Sequence, residues 1–204
     1  MRKLALMAVL ASTALSAPAM ARDGAWYVGV EGGAMMVDDM DFDINGINNA
    51  GSVDLDTGYD VGVYLGYDFG MFRLEAETAY KHAGLNTVTT SNGVILDALE
   101  EEDIAIPGGT ADLSGNLSVL SFMLNGLLDF GPDDGIGAYV GGGAGIARAQ
   151  LSGVGTTATG AFLGDSDSGF AWQAIAGVRV PVSSNVDFGL RYRYFNMNNV
   201  KLVD

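Results

Sequence analysis

The chain has 204 residues, with 10 Lys and Arg against 25 Asp and Glu, and no cysteine. That acidic balance argues against a nucleic-acid partner, which needs a basic face. The lack of thiols removes disulfides, thiolate metal sites and thiol redox chemistry.

In chain order, Arg2 and Lys3 precede an apolar run over residues 4–15, and small residues follow up to Ala19-Met20-Ala21. This is the charged, apolar, A-x-A order of a secretory signal peptide. The run falls short of the ~20 apolar residues a spanning helix needs. Residues 1–21 are therefore read as an export signal and 22–204 as one domain. Without Arg2 and Lys3, eight basic residues face 25 acidic ones, a net charge of −17.

Seven stretches then alternate apolar and polar residues with period two: 25–37, 58–70, 72–83, 117–130, 136–150, 169–180 and 186–196. Successive strand side chains point to opposite faces, and each stretch reaches the ~9–11 residues a tilted membrane strand requires. The connections alternate in length. Residues 38–57, 84–116 and 151–168 are long, whereas the Gly70 turn, 131–135 and 181–185 are short. This predicts an all-β, antiparallel up-and-down transmembrane barrel of the eight-stranded type, with short periplasmic turns and long external loops. A soluble sandwich is the rival, and its loops show less regular asymmetry. Within 84–116, residues 94–106 are expected to form a short helix.

One face of each strand is apolar, as in Val61, Val63 and Leu65, Leu120, Phe122 and Leu124, or Ala174, Ala176 and Val178. Arg148 alone breaks this parity, past Ile146 and above the expected apolar band. Aromatic residues gather near the ends of these faces. Trp26, Tyr67, Phe69, Phe72, Phe130 and Phe188 would form a periplasmic belt, and Tyr59, Tyr80, Phe170, Trp172 and Tyr194 an outer one, since amphipathic rings favour both interfaces. The opposite parity holds Glu31, Asp60, Asp68, Arg73, Glu75, Glu77, Lys81, Asp129, Arg179, Asp187, Arg191 and Arg193. Charges enclosed together must be paired, and a barrel of this size has an interior barely wide enough for its own side chains. The interior is expected to be a polar ionic plug.

Single-chain bacterial barrels have an even strand count. The seventh strand runs outward and 198–204 begins another external loop, so the eighth strand is expected to be missing. That would leave two edges with backbone groups unpaired in lipid.

Trp26-Tyr27-Val28-Gly29-Val30-Glu31, Gly66-Tyr67-Asp68-Phe69-Gly70 with Phe72-Arg73-Leu74-Glu75, and Leu190-Arg191-Tyr192-Arg193-Tyr194-Phe195 resemble the OmpA-like outer-membrane β-barrel family. The resemblance covers essentially all of 22–204. It implies an eight-stranded barrel with a charged, largely closed interior and a structural role. Many family members carry a peptidoglycan-binding domain after the barrel; none is recognisable here, so that activity is not carried over.

Other chemistry is thin. Asp41, Asp43 and Asn45 match the opening of an EF-hand calcium loop, but its twelfth position is Ser52 in place of the closing Glu. Glu100, Glu101, Glu102 and Asp103 form an acidic run, which is usually a solvated face. His82 is the only histidine, and Ser91, Ser114 and Ser118 are candidate nucleophiles only if brought within its reach. The glycine run 141–145 lacks the Lys and strand-to-helix context of a phosphate loop. No cofactor or catalysis is expected. The expected setting is the bacterial outer membrane, as a monomer with lipid, lipopolysaccharide and the barrel assembly machinery as partners. A surface adhesin acting through acidic loops and a narrow channel are the alternatives.

Overall fold

The computed structural model describes residues 4–12, 24–38, 40–44, 47–90, 94–97, 103–106, 109–132, 135–156 and 160–200. All regular elements among them are strands: β1 (Leu4–Ser12), β2 (Trp26–Met35), β3 (Met40–Ile44), β4 (Ile47–Leu55), β5 (Gly58–Asp68), β6 (Phe72–Thr90), β7 (Val94–Asp97), β8 (Asp103–Ile106), β9 (Gly109–Phe130), β10 (Gly137–Thr156), β11 (Gly160–Ser183) and β12 (Val186–Val200).

The wall is the antiparallel meander β2–β5–β6–β9–β10–β11–β12. Period-two alternation sets its two faces, so that β2 alternates exposed and buried from Trp26 to Glu31. Short turns join alternate strands. Between β5 and β6 the Asp68 carboxylate accepts the Gly70 N–H at 2.7 Å, the Phe69 N–H donates to the Phe72 carbonyl at 2.8 Å, and Gly70 has φ 99°. That φ suits glycine, which has no Cβ to clash. The sheet curls until β12 faces β2, and Arg191 and Arg193 on β12 reach Glu31 on β2.

The expected strands lengthen well into the expected loops. β6 continues to Thr90, β9 starts at Gly109, β10 continues to Thr156 and β11 starts at Gly160. Irregularities between Gly84 and Thr87 and between Ser152 and Gly155 interrupt these ladders where they leave the expected strands. Within 38–57, β3 pairs antiparallel with β4, and β4 continues the sheet by pairing with the far end of β6, Gly51 opposite Thr90. The expected helix over 94–106 is not formed by its described parts. Val94–Asp97 and Asp103–Ile106 pair as strands, Val94 opposite Ile106 and Leu96 opposite Ile104. Their β-branched residues favour a pleated ladder over a helix.

The edge of β12 left for an eighth strand is occupied by β1, from Ser12 opposite Arg191 to Leu4 opposite Val200. β1 lies alongside β2, but among the described residues β2 is laddered to β5 alone. A row of open N–H and C=O groups takes up an available apolar strand. The expected cleavage motif at 19–21 lies outside the described residues.

Inside the curl, register decides the packing. Tyr27 is opposite Gly66, Tyr64 opposite Gly29 and Tyr139 opposite Gly177. Each ring lies over its glycine, where a Cβ would overlap it. These glycines make room for buried tyrosines that hold the charges described below. Gly66→Val should displace the Tyr27 ring and destabilise the fold by about 1–3 kcal/mol, the usual cost of overpacking. Urea unfolding in detergent micelles, followed by tryptophan fluorescence, measures it.

Candidate functional site: the charged interior

Two arginines from one strand organise the centre. Arg191 and Arg193 sit two apart on β12, so both point inward, and both are buried. Arg191 bonds Glu31 at 3.1 Å and both oxygens of Glu75 at 3.0 Å, and lies 3.7 Å from Glu77. Its Nε donates to the Tyr139 hydroxyl at 3.2 Å, and its guanidinium lies 4.7 Å from the centre of the Tyr64 ring. Arg193 bonds Asp60 at 2.7 Å, pairs with Glu31 and lies 3.1 Å from Glu77. Glu31, Glu75 and Glu77 thus bridge β2 and β6 to β12. Such charge-assisted, forked bonds offset the cost of burying both partners.

Amides extend this lattice across β9 and β11. Asn125 donates to Glu77 at 2.8 Å, while the Gln173 amide donates to Asn125 at 2.7 Å and to Glu77 at 3.2 Å. Gly143 on the intervening β10 leaves room for Asn125. Lys81 lies 3.9 Å from Asp60, donates to Ser121 at 3.2 Å and sits 4.6 Å above the Phe195 ring.

A second tier lies at the short-turn end. Arg73 bonds Asp129 at 2.6 Å and lies between the Tyr27 and Tyr139 rings. Tyr27 donates to Glu75 at 2.9 Å, linking the tiers. Arg179 lies 3.9 Å from Asp68 and 3.5 Å from Asp129. Asp187 is buried at the start of β12, within electrostatic range of Arg179 and Arg73.

The interior at the hairpin end is apolar. Past Glu31, Lys81 and Arg193 the same inward parity carries Met35, Ala83, Leu85, Phe195 and Met197. They pack with Leu117, Val119, Met123, Ala147, Ala149 and Ala171 into one buried cluster. The expected plug of polar side chains thus occupies only part of the lumen. The signal was in the sequence, since these positions extend the inward alternation beyond its last charge. Nor did the sequence reading single out Tyr27, Tyr64 and Tyr139. Tyrosine alternating with glycine at inward positions was their visible trace.

On the outer face, aromatic residues meet in two groups. Toward the short turns, Trp26 lies 5.2 Å from Tyr67, Tyr67 4.6 Å from Phe69 and Phe69 6.1 Å from Phe72. Toward the hairpins, Tyr59 lies 6.5 Å from Tyr80, and Trp172 5.5 Å from Tyr194. Phe130, Phe170 and Phe188 are exposed on the same face. His82 is brought to Ser118, with Nδ1 3.1 Å from Oγ, and the Tyr80 hydroxyl donates to the same Oγ at 3.0 Å. Among the described residues no carboxylate hydrogen-bonds the imidazole, so no Ser-His-acid relay is assembled there. Ser114 is exposed on β9, and Ser91 lies outside the described residues. Asp41 and Asp43 belong to strand β3, and Asn45 lies outside the described residues. Among the described residues no three His, Asp or Glu groups converge to hold a metal.

The profile of the outer membrane protein beta-barrel domain matches residues 7–203. The chain belongs to that family. It is 28% identical to the outer membrane protein PagN of Salmonella typhimurium, over 93% of this chain and 81% of that protein. No solved structure matches it. This family member is a protein of the bacterial outer membrane.

Arg191 bonds carboxylates from two strands, so its loss strands buried negative charge. Arg191→Met is expected to cost about 3–5 kcal/mol. Equilibrium denaturation of refolded protein against the parent measures this, and a change below 1 kcal/mol would mean that the pairs are not enclosed.

Proposed function

We propose that this barrel is a structural and surface-exposed component of the cell envelope, held in lipid by its outer face and closed to flow by its inner one. The observation that carries the reading is the inversion of the usual arrangement. Leu124, Val63, Val140 and Leu190 are exposed on the wall, while Glu75, Lys81 and Arg193 are buried within it. A water-soluble protein would expose its charges and bury those side chains. Lipid around the wall gives the exposed side chains an apolar partner. The two aromatic groups serve as interfacial belts, residues 1–21 direct export, with Leu4–Ser12 lying along β12 only in the uncleaved chain, and the barrel works as a monomer inserted by the assembly machinery. The ion lattice, with the apolar cluster beyond it, closes the lumen, and the protein catalyses no reaction.

The second reading is a surface adhesin or ligand-binding protein. The extension of β6, β9, β10 and β11 beyond the wall, with the β3–β4 hairpin laddered to it, favours this role, because it offers a broad acidic platform bearing Asp54, Asp56 and Asp112.

Leu124 is 71% exposed. On a water-facing surface, Leu124→Arg would be close to neutral, whereas on a lipid-facing wall it should cost ~2–4 kcal/mol. Folding into phospholipid bilayers, read from the heat-modifiable band on gels, separates the two. In planar bilayers the folded protein should give no discrete conductance. Steady single-channel steps would turn the reading towards a channel. Removal of 40–55 should leave folding intact, and loss of cell-surface attachment in that variant would favour the adhesin.

A further inference from the structure

Six arginine and lysine side chains are described in full, and five of them, Arg73, Lys81, Arg179, Arg191 and Arg193, point into the lumen. The sixth, Arg148, is exposed on the outer face of β10. Its place there is specific. Tyr80, Leu120, Arg148 and Ser168 follow one another across β6, β9, β10 and β11 in a single register row, and His82, Ser118, Gln150 and Ser166 form the next row toward the hairpins. The patch begins where the exposed apolar side chains Phe122, Ile146 and Phe170 end. Tyr80 in the first row and Tyr59, paired with His82 of the second, are the ring type that settles at a lipid interface.

The groups of this patch are already oriented. Arg148 donates through one terminal nitrogen to the Ser166 hydroxyl at 2.9 Å, which steadies the guanidinium over β11. On the other side, Tyr80 donates to Ser118 Oγ, and that hydroxyl lies 3.1 Å from His82 Nδ1. When Ser118 donates to Nδ1, the imidazole proton sits on Nε2 and can be given to an acceptor outside. Ser118 and Arg148 are diagonal neighbours on adjacent strands, about 7–8 Å apart at the backbone, so the two halves of the patch flank one stretch of the wall. The guanidinium fork and the Ser166 hydroxyl, which accepts from Arg148 and keeps its own proton to give, form a donor set that suits the oxygens of a phosphate, and the His82 Nε2–H adds a further donor across the patch.

We propose that Arg148 and Ser166 bind the phosphate of a lipid headgroup in the outer leaflet, with His82, oriented by Ser118, facing the same headgroup from β6. The inference rests on the reading of this wall as lipid-facing, under which the patch lies at headgroup height. Charge complementarity chooses the occupant. The chain as a whole carries −15, so a free anion is repelled over most of its surface. A lipid phosphate is instead held against the barrel by its own acyl chains and meets the exposed guanidinium at the interface. The contact would anchor the barrel at a fixed depth and select phosphorylated neighbours.

The test uses the full chain folded in detergent micelles, with melting followed by the heat-modifiable band. Lipid A, its enzymatically dephosphorylated counterpart and inorganic phosphate are added separately. The expected result is a higher Tm with lipid A than with the dephosphorylated lipid, and no rise with inorganic phosphate. Arg148→Gln should abolish the difference between the two lipids while leaving the Tm in plain micelles unchanged. Arg148→Lys should retain part of the difference, and Ser166→Ala should reduce it. Equal stabilisation by both lipids, or a full difference surviving in Arg148→Gln, would overturn the site. An equal rise with inorganic phosphate would overturn the lipid as its occupant. Failure to fold into bilayers sinks the lipid-facing wall and this site with it, whereas insertion without phosphate dependence sinks the site alone.

Discussion

Charge enclosed within a narrow curl of sheet has to be neutralised there, because neither water nor counter-ions can follow it in adequate number. In this protein that condition ties together strands far apart in sequence. Arg191 and Arg193 stand on the last wall strand and meet carboxylates from β2, β5 and β6. The curl of the sheet brings these partners together, and their attraction in turn favours the curl. Tyrosines lying over glycines hold two of the guanidinium groups from the side, and amides on β9 and β11 both donate to one oxygen of Glu77.

The interior changes character along its length. Ion pairs fill the short-turn end and the centre, and methionine, leucine, valine and phenylalanine fill the hairpin end. The two fillings do different work. The lattice fixes which strands face one another, because each charge accepts few partners in few geometries. The apolar cluster packs without such demands and supports the lengthened strands that carry the fold past the lipid band. A barrel built this way can vary its outer hairpins while the paired charges below hold the wall together.

How far the molecule could be read from its residues differs from element to element. Trp26–Met35 and Gly58–Asp68 were legible because their alternation is unbroken and period two sorts side chains onto two faces. The far ends of β9, β10 and β11 were not, because glycine, serine and threonine make stretches such as 109–116 and 151–156 resemble loops. Their strand state comes from a neighbour that extends the ladder. The short pair β7 and β8 was misread as helical for the same reason, since an acidic run between two apolar stretches has no marked period.

By itself the sequence determined the antiparallel meander, the side of the sheet on which each residue of the wall falls and the outer membrane as its setting. These follow from local alternation, loop length and composition, all of which act over a few residues. Only the tertiary structure decided that Arg191 would bridge Glu31 and Glu75, that Tyr27 would lie over Gly66, and that Leu4–Ser12 would lie along β12. Those outcomes depend on the register between strands and the closeness of the curl, which arise when segments 39 to 196 residues apart compete for the same hydrogen bonds and counter-charges.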